Sequence, residues 1–456
     1  MRERVLVQPV DGPVDAEAAF LALVAGAEHG CWLDSAGLAA GGGAGWSILA
    51  TSAEAVAADR MRDDAGGVLD WLRRERAAWD VDTDGAPGPF PLGLVGWLGY
   101  EVRAETLGLP VAHRAGPADA AMLRVDRALV IDHGDGDRAW LLARGHEWTG
   151  EPARWRDATL ATLAGLTPSA VAPAPEPGHA DRAHAHWATT EAEYLDRIRL
   201  AKHAIADGDA YQLCLTTQAS VAGRFDAVDV YRRLRAGSPS HHGAYLRSGG
   251  TVLLSASPEQ FLAIDPDGTV QTKPIKGTRP RSADPARDAA LAEELRASDK
   301  ERAENLMIVD LMRNDLARVC EVGTVEVTSL LAVESYPHVH QLVSTVRGRL
   351  GAGRDAVDAL RACFPAGSMT GAPKRSAVEI LDRLEGRPRG IYSGAFGYLG
   401  LDGAVDLAMT IRSIVLDERG ATVGAGGGIT ALSVPEEEVA EVRLKAAALL
   451  AALDAR

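Results

Sequence analysis

Hydrophobic residues recur with two different periods along the chain, and each change of period marks a predicted element. Short apolar or alternating runs bounded by glycine-rich segments are typical of strands. The predicted strands are 31–37, 46–52, 91–101, 123–133, 138–146, 211–221, 244–265 and 268–277. Because the turn residues 134–137 separate two of these runs, we expect 123–133 and 138–146 to form one antiparallel pair.

Helical periodicity is clearest in three segments, which are 189–209, 298–317 and 436–452. The first segment has a threonine cap and ends at Gly208, as is typical of helix boundaries. A further helix is predicted to begin in the segment GSMTGAPK, residues 367–374. There Pro373 suits a first-turn position, and Ser368 and Thr370 are residue types that cap helices.

Many predicted strands are not followed by a helix, which favours an α+β protein with large antiparallel sheets over a parallel α/β array. A polar segment rich in proline and alanine predicts a linker at 166–186. It separates an N-terminal subdomain, 1–165, from a second region, 187–456. The chain has 456 residues, of which 46% are hydrophobic, so it has ample material for a large core.

The formal net charge of −15 argues against nucleic acid as a partner. An acidic chain that binds an anion must concentrate positive charge locally. The four cysteines are scattered and form no CxxC pair, which favours a reducing cytoplasm over a disulfide or zinc scaffold. No signal-peptide pattern and no apolar run near the roughly 18 residues that span a bilayer is present. We therefore expect a cytoplasmic protein that does not contact membranes.

Two of the predicted helices each carry a pair of glutamates one turn apart. Glu301 and Glu304 share a face of the helix at 298–317, and Glu438 and Glu441 share a face of the C-terminal helix with Lys445. If the helices meet, these acids cannot all ionise without a cation, and carboxylate oxygens suit Mg²⁺. The alternative is a pair of solvated faces, which the spacing alone favours.

A strand, a proline, a lysine and a glycine follow one another in KPIKGTRPR, residues 273–281. This arrangement predicts that Lys276 lies at a strand end beside backbone amides. Burial or a nearby metal would shift the pKa of Lys276 from about 10.4 toward neutrality and make it a nucleophile. The alternative is a lysine that pairs with an acid.

Two glycine clusters could contact a ligand through the backbone. Free amides in GSMTGAPK are able to bind a carboxylate. The cluster GAGGGI at 424–429 is not a GxGxxG nucleotide loop, so it indicates either close approach to a flat ligand or a plain turn. His338 and His340 alternate along a predicted strand, which is more typical of structural residues than of metal ligands.

Seven motifs occur in an order that resembles the chorismate-utilising enzymes, among them the anthranilate, aminodeoxychorismate, isochorismate and salicylate synthases. The motifs are PIKGTRPR, AENLMIVDLMRND, VHQLVSTVRG, GSMTGAPK, SGAFGYLG, TIRS and AGGGI with EEEVAEVRLKA. The resemblance runs from about residue 187 to the C-terminus and is weaker before it. It implies two antiparallel sheets packed as a sandwich, helices outside, and two interleaved subdomains around one cleft.

The resemblance also implies roles for individual residues. Glu304 and Glu441 match Mg²⁺ ligands, and Glu301 and Glu438 match their outer-shell neighbours. Glu259, in SPEQF, matches the acid that protonates the departing hydroxyl of chorismate. The residues that match substrate-binding positions are Gln212, Thr278, Gly371, Ala372, Tyr392, Arg412, Gly426, Gly428 and Lys445.

Two positions indicate which member of the family the chain is most similar to. Gln212 stands where isochorismate and salicylate synthases have a water-activating lysine, which favours ammonia as the nucleophile. Lys276 stands where anthranilate synthases have alanine, as in component I of aminodeoxychorismate synthases. That resemblance implies a transaminase-class amination, in which Lys276 attacks C2 of chorismate, Glu259 protonates the C4 hydroxyl, and ammonia then attacks C4 and expels the lysine from C2.

The implied product is 4-amino-4-deoxychorismate, a precursor for p-aminobenzoate and folate or for specialised metabolism. Anthranilate synthase component I is the alternative, and a non-catalytic partner of this family is a further one. No glutaminase motif is present, so ammonia is expected from a glutamine amidotransferase subunit. Asp34 and Ser35, in WLDS, mark a possible tryptophan pocket. Gln341 and Leu432 depart from a histidine and an aspartate that are common in relatives.

Overall fold

The computed structural model describes residues 2–35, 45–111, 119–166 and 183–455. Its helices are α1 (Ala16–Leu23), α2 (Ala58–Ala65), α3 (Val68–Ala78), α4 (Arg103–Leu107), α5 (Gly150–Ala164), α6 (Glu191–Ala206), α7 (Ala227–Gly237), α8 (Pro285–Ala297), α9 (Asp299–Ala317), α10 (Ala356–Cys363), α11 (Lys374–Glu385) and α12 (Pro435–Ala452).

The strands of the N-terminal part are β1 (Glu3–Pro9), β2 (His29–Asp34), β3 (Trp46–Thr51), β4 (Ala55–Ala57), β5 (Val81–Asp82), β6 (Gly93–Leu98), β7 (Ala120–Val125), β8 (Arg127–Asp132) and β9 (Arg138–Gly145). The later strands are β10 (His186–Trp187), β11 (Gln212–Ala222), β12 (His242–Ser248), β13 (Thr251–Ser257), β14 (Gln260–Ile264), β15 (Thr269–Lys273), β16 (Ile275–Pro280), β17 (Glu326–Ser335), β18 (Val339–Arg349), β19 (Gly371–Ala372), β20 (Ala395–Gly400), β21 (Val405–Met409), β22 (Ser413–Asp417) and β23 (Gly420–Ile429).

Two large, almost wholly antiparallel sheets form the body of the molecule. The first has the order β10-β11-β23-β22-β13-β12-β2-β3-β8-β9-β1-β5, and the second has the order β16-β18-β15-β14-β21-β20-β6-β7-β4. Side chains from both sheets, such as Ile48 and Trp97, share one core cluster. Helices α6, α7 and α12 cover the first sheet, and α3, α9 and α10 cover the second. The predicted sandwich with helices outside is confirmed.

Each sheet joins a block of strands from the N-terminal part to a block of strands from the later part of the chain. In the first sheet β2 pairs with β12, and in the second β6 pairs with β20, where Trp97 lies opposite Phe396. The interleaving implied by the family resemblance is therefore present. The division at 166–186 stays a prediction, because residues 167–182 lie outside the described part of the chain.

Three predicted strands are each divided in the structure. Residues 244–265 cover most of β12, all of β13 and, in the other sheet, β14, and residues 268–277 cover β15 and the start of β16. Residues 123–133 belong to two strands, β7 in the second sheet and β8 in the first, and the chain crosses between the sheets at Asp126. The backbone carbonyl of Asp126 accepts a hydrogen bond from Arg144, and its carboxylate pairs with Arg127. The apolar alternation continues across this crossing, so the sequence gives no sign of it. The predicted pairing with the following strand holds for β8 alone.

The helices that position the site begin at recognisable caps. Thr190 and Glu193 form a capping box at α6, which ends just before Gly208, and Ser298 caps α9. Pro373 occupies the N-cap of α11, so its predicted first-turn position is wrong, and Ser368 and Thr370 lie upstream without capping the helix. None of the helices in the described ranges is long and apolar enough to cross a membrane.

Candidate active site

A cavity of about 360 Å³ opens where the two sheets, α9 and α12 come together. Residues from widely separated parts of the sequence line it, and most of the predicted site residues are among them. The predicted residues in the lining are Glu259, Lys276, Thr278, Glu301, Glu304, Tyr392, Arg412, Gly426, Gly428, Glu438, Glu441 and Lys445.

Helices α9 and α12 bring both glutamate pairs to this cavity, with the end of β23 between them. A Cβ atom on Gly427 would lie 2.9 Å from Oε2 of Glu438. A Cβ atom on Gly428 would lie 3.4 Å from Oε2 of Glu304 and 2.5 Å from Nε2 of Gln212. The strand therefore passes close to these side chains, most closely at Gly428 beside the buried amide of Gln212, which is the close approach that the glycine cluster indicated.

Each of the two glutamates of α12 in the cavity, Glu438 and Glu441, pairs with a lysine side chain. Lys300 Nζ lies 3.0 Å from Oε1 of Glu438, which also accepts a hydrogen bond from Ser433 at 2.7 Å. Lys445 Nζ lies 2.5 Å from Glu441 and donates to the carbonyl of Gly426 at 2.9 Å. Sequence reasoning missed Lys300, although its place directly before Glu301 in a chain with few lysines was a usable signal.

The surroundings shift the pKa values of Glu304 and Glu441 in opposite directions. Burial raises the pKa of Glu304, and Glu301 and Glu438 add to that effect while Lys276 opposes it. Burial also raises the pKa of Glu441, but Lys445, Lys300 and Lys276 together outweigh burial, and the pKa ends below its usual value. A cation beside Glu304 would remove this penalty, because the crowded acids could then all ionise.

Among the described residues, no three His, Cys, Asp or Glu side chains converge tightly enough to enclose a metal ion by themselves. Mg²⁺ does not need such a cage, since it commonly takes one or two carboxylates and completes its octahedron with water and substrate oxygens. Glu304 and Glu441 line the same cavity and would be the two carboxylates that hold the ion, with Glu301 and Glu438 beside them in the lining.

Lys276 projects into the same cavity from β16. Gly277 follows with a φ of +86°, and a Cβ atom there would lie 2.7 Å from Leu295, so the turn that presents Lys276 requires glycine. The predicted shift of its pKa toward neutrality is wrong for the protein without metal or substrate. Burial lowers the pKa of Lys276, but the charges of Glu304, Glu259 and other acidic groups outweigh burial and raise it.

Glu259 is 6% exposed and faces Lys276. Burial raises its pKa, and the charge of Lys276 together with a hydrogen bond from Ser368 offsets only part of that rise. The acid form of this side chain is therefore favoured relative to an exposed glutamate, as a proton donor requires. Ser368, considered only as a cap in the sequence, contacts the acid instead.

The cavity lining also contains an arginine that makes no ion pair with the described residues. Arg412 adopts a φ of +50° and has no ion pair with any described residue. Burial lowers the pKa of Arg412, but a guanidinium remains charged in proteins. Such a half-buried, unpaired arginine is suited to bind a carboxylate. Tyr392 borders it and packs against Gly424.

The cavity lining contains equal numbers of acidic and basic side chains. It contains five acids, Glu259, Glu301, Glu304, Glu438 and Glu441, and five cations, Lys276, Arg279, Lys300, Arg412 and Lys445. The cavity is thus far less negative than a chain of net charge −15. One divalent cation would give it two excess positive charges, which would match a ligand with two carboxylates.

Some predicted site residues lie elsewhere. Gly371 and Ala372 form β19 and pair with Leu213 and Gln212 of β11, outside the lining. The Gln212 side chain is fully buried beside Gly428, and neither its oxygen nor its nitrogen has a hydrogen-bond partner among the described residues.

Asp34 and Ser35 lie away from the main cavity. Asp34 borders a separate cavity of about 130 Å³, and Arg235 lies 2.6 Å from its carboxylate. The Ser35 hydroxyl exchanges hydrogen bonds with the backbone of Trp46. Since the neighbouring residues 36–44 lie outside the described ranges, the tryptophan pocket stays a prediction.

His340 and Gln341 have different roles in the structure. His340 bonds to Ser335 at 2.8 Å and to Asp288 at 3.0 Å, which is the structural role expected for it. Gln341 lines the main cavity in its place. A neutral amide therefore stands at a position where an imidazole could have exchanged protons with a ligand.

Comparison with known proteins identifies relatives of this fold and site. The family model described as "chorismate binding enzyme" matches residues 32–451. An aminodeoxychorismate synthase of Streptomyces pristinaespiralis is 46% identical over 99% of this chain, and one of Streptomyces griseus is 42% identical over 99%. The chain spans 65% of the length of each. Anthranilate synthase component 1 of Streptomyces coelicolor is 42% identical over 86% of this chain and 78% of its own length.

Solved structures agree on the fold. Anthranilate synthase component I of Streptococcus pneumoniae superposes with a TM-score of 0.75 at 28% identity, covering 89% of this chain and 92% of its own. The menaquinone-specific isochorismate synthase MenF of Escherichia coli gives a TM-score of 0.71 at 21% identity, covering 99% of this chain and 94% of its own.

Proposed function

Because this chain belongs to the family of chorismate-binding enzymes, we propose that it aminates chorismate to 4-amino-4-deoxychorismate. The observation that carries the proposal is the position of Lys276, whose side chain lies in the cavity with Glu259 and Glu304. The two Streptomyces relatives named aminodeoxychorismate synthase support the same assignment. We place the reaction in the cytoplasm on the sequence grounds given above.

Chorismate carries two carboxylates, and the cavity offers a place for each. Mg²⁺ bound by Glu304 and Glu441 would supply positive charge for the ring carboxylate. Arg412 and Tyr392 would hold the enolpyruvyl carboxylate, while Thr278 and the backbone around Gly426 and Gly428 line the space between. Lys445 keeps the acid of α12 in place through its ion pair with Glu441.

The chain's own groups then perform a double displacement. Neutral Lys276 forms a bond to C2 of chorismate, the ring double bonds shift, and the C4–O bond breaks while Glu259 donates its proton, so that water leaves. Ammonia then bonds to C4, the double bonds return, and the C2–N bond to Lys276 breaks. One displacement with a poor leaving group becomes two easier steps, and the enolpyruvyl group is retained.

Ammonia would come from a glutamine amidotransferase subunit, or from solution at high pH. The product would serve p-aminobenzoate and folate formation or a specialised pathway. Because Gln341 replaces a potential proton acceptor in the lining, loss of pyruvate to give an aromatic ring is not assigned to this site.

The second candidate is anthranilate formation, which the 42% identity to a Streptomyces coelicolor anthranilate synthase component favours. Incubation of the protein with chorismate, Mg²⁺ and ammonium chloride separates the two. We expect mass spectrometry to detect 4-amino-4-deoxychorismate without release of pyruvate. Fluorescent anthranilate together with an equal amount of pyruvate would overturn the proposal.

A further inference from the structure

The turn that follows β6 carries buried polar groups that the proposed reaction does not use. We call residues 99–103 the β6 turn. Tyr100, Glu101 and Arg103 are almost completely buried there, although two of them are charged side chains, and none of them lines the main cavity. The turn contacts a segment from the later part of the chain, since the amide of Tyr100 donates to the carbonyl of Gly390 at 2.8 Å.

The Glu101 carboxylate holds two successive backbone amides of that segment. Its Oε1 accepts a hydrogen bond from the N–H of Arg389 at 2.8 Å, and its Oε2 accepts one from the N–H of Gly390 at 2.9 Å. Burial raises the pKa of Glu101 to about 7, and Asp119 adds to the rise, while the two amides and Arg103 oppose it. Above that pH both oxygens are acceptors, and hydrogen bonds to an ionised group are roughly twice as strong as neutral ones. Glu101 therefore fixes this stretch of backbone.

The Arg389 side chain connects the same backbone to the wall of the main cavity. Its guanidinium donates to the carbonyl of Met369 at 2.6 Å and to the carbonyl of Cys214 at 2.9 Å, and both of these residues line the cavity. It also donates to both carboxylate oxygens of Glu385, at 2.7 and 2.8 Å, and lies 4.3 Å from the ring centre of Tyr100. A buried guanidinium with so many partners cannot shift without breaking several contacts, so the Arg389 backbone and the cavity wall move together.

The segment continues into the two residues that are proposed to hold the enolpyruvyl carboxylate. Tyr392 follows Arg389 by three positions and lines the main cavity. The next amide, of Ser393, donates to the carbonyl of Thr410 at 2.9 Å, two residues before Arg412. Ser393 and Arg412 adopt left-handed backbone conformations, with φ of +65° and +50°, which cost free energy and persist only where the surroundings hold them. The hydrogen bonds to the preceding backbone are part of those surroundings.

We propose that Glu101 is a positioning residue for chorismate, because it fixes the backbone that places Tyr392 and Arg412 against the enolpyruvyl carboxylate. This inference rests on the proposed function, which assigns that carboxylate to these two residues. Glu101 lies outside the main cavity and touches no reacting group. Its loss should therefore weaken the binding of chorismate and leave the chemical step at Lys276 intact, which raises KM without lowering kcat.

Helix α4, which follows the β6 turn, supplies a matched control. Glu105 accepts hydrogen bonds from the amides of Val68 at 2.9 Å and Leu69 at 3.0 Å. Its carboxylate thus makes the same contact with two successive amides, but at the start of α3, which does not line the main cavity. Glu101→Gln and Glu105→Gln each replace an ionised pair of acceptors with one acceptor and one donor, so both should lower the free energy of unfolding in urea.

The test measures kcat and KM for chorismate at saturating Mg²⁺ and ammonium chloride, at a pH above the pKa of Glu101. Both substitutions are also made in the Lys276→Ala background, where isothermal titration with chorismate and Mg²⁺ measures binding without turnover. We expect Glu101→Gln to raise KM and the dissociation constant at least about tenfold and to keep kcat within about threefold of the wild type. Glu105→Gln should leave all three values within about twofold.

Equal KM and chorismate affinity in the two variants would overturn the proposal, and so would a loss confined to kcat. If Glu101→Gln does not fold, Glu101→Asp takes its place, since it keeps the charge on a side chain one carbon shorter. We then expect KM to rise about threefold or more, and an unchanged KM would overturn the proposal equally. If the wild type forms no 4-amino-4-deoxychorismate with ammonium chloride, the proposed function fails, and the titrations in the Lys276→Ala background still decide the role of Glu101.

Discussion

Lys276 and Glu259 line the same cavity, and the proposed reaction needs the lysine deprotonated and the glutamate protonated. The lysine must be neutral to attack, yet the surrounding acids raise its pKa, and the glutamate must be protonated to donate, which burial favours. Transfer of one proton from Lys276 to Glu259 would create both reactive forms without changing the total charge. The pair therefore titrates together, and its pH dependence belongs to both groups.

The glutamate half of this pair can be tested by Glu259→Gln. The amide keeps the shape of the side chain but has no acidic proton, so we expect kcat to fall by about 10²–10⁴-fold. With saturating free ammonia, the wild-type rate should decline as pH rises through the raised pKa of Glu259, because the donor form disappears. An unchanged alkaline decline in the variant would contradict the assignment.

Motif resemblance located most of the site residues, but it could not give their electrostatic state. The pKa of Lys276 depends on Glu304 and Glu441, which lie on helices distant in sequence. Lys300 was missed although its place before Glu301 was a signal, since its pairing with Glu438 of α12 is a tertiary contact between residues distant in sequence. Motifs therefore predict which residues meet, while their charges follow from the tertiary arrangement.

Helices α9 and α12 each present one glutamate pair, and the proposed metal site exists only where they meet. Glu441→Gln should lower Mg²⁺ affinity at least about tenfold, because one charged ligand is lost. Isothermal titration with Mg²⁺ in the presence of chorismate measures this directly. Glu437→Gln, on an exposed face of the same helix, is the matched control. Equal affinities in the two variants would exclude Glu441 as a ligand.

A buried ion pair joins α9 to the start of α11. Lys374 Nζ lies 2.6 Å from Asp315 and 2.8 Å from the carbonyl of Cys363, and both charged side chains are buried. Lys374→Met leaves the aspartate unpaired, so we expect the free energy of unfolding in urea to fall by about 3–5 kcal/mol. The double variant Lys374→Met/Asp315→Leu should recover most of that loss. A single-variant loss below about 1 kcal/mol would contradict the pairing.

Local signals predicted the long helices well and the short elements less well. The caps of α6 and α9 are local, so the sequence located them. The break at Asp126 between β7 and β8 has no local signal, because both halves are equally apolar and only the change of sheet distinguishes them. Pro373 looked like a first-turn residue, and it took the N-cap because the preceding residues pair with β11.

Both sheets are built from strands of the two ends of the chain, so neither end has a complete sheet of its own. The early strand β2 joins β12 to β3, and the early strand β6 joins β20 to β7. Periodicity predicted the strands, and the family resemblance implied their interleaving. Strand order could not be derived from the residues alone, since apolar strands of similar length are interchangeable partners.

This architecture predicts how fragments behave. A fragment of residues 183–456 would expose the strand edges that β2 and β6 cover in the intact chain. We therefore expect it to show no cooperative unfolding transition by circular dichroism, whereas the full chain unfolds cooperatively. A sharp transition in the isolated fragment would show that the second region folds independently.

The central claim of the proposed mechanism is that Nζ of Lys276 forms a covalent bond to the substrate. Acid-quenched protein that has been incubated with chorismate and Mg²⁺, without ammonia, can be digested and analysed by tandem mass spectrometry. We expect the peptide containing Lys276 to gain the mass of chorismate less one water, and we expect ammonium chloride or Lys276→Ala to abolish that gain. An enzyme that aminates chorismate while Lys276 stays unmodified under these conditions would contradict covalent catalysis by this residue.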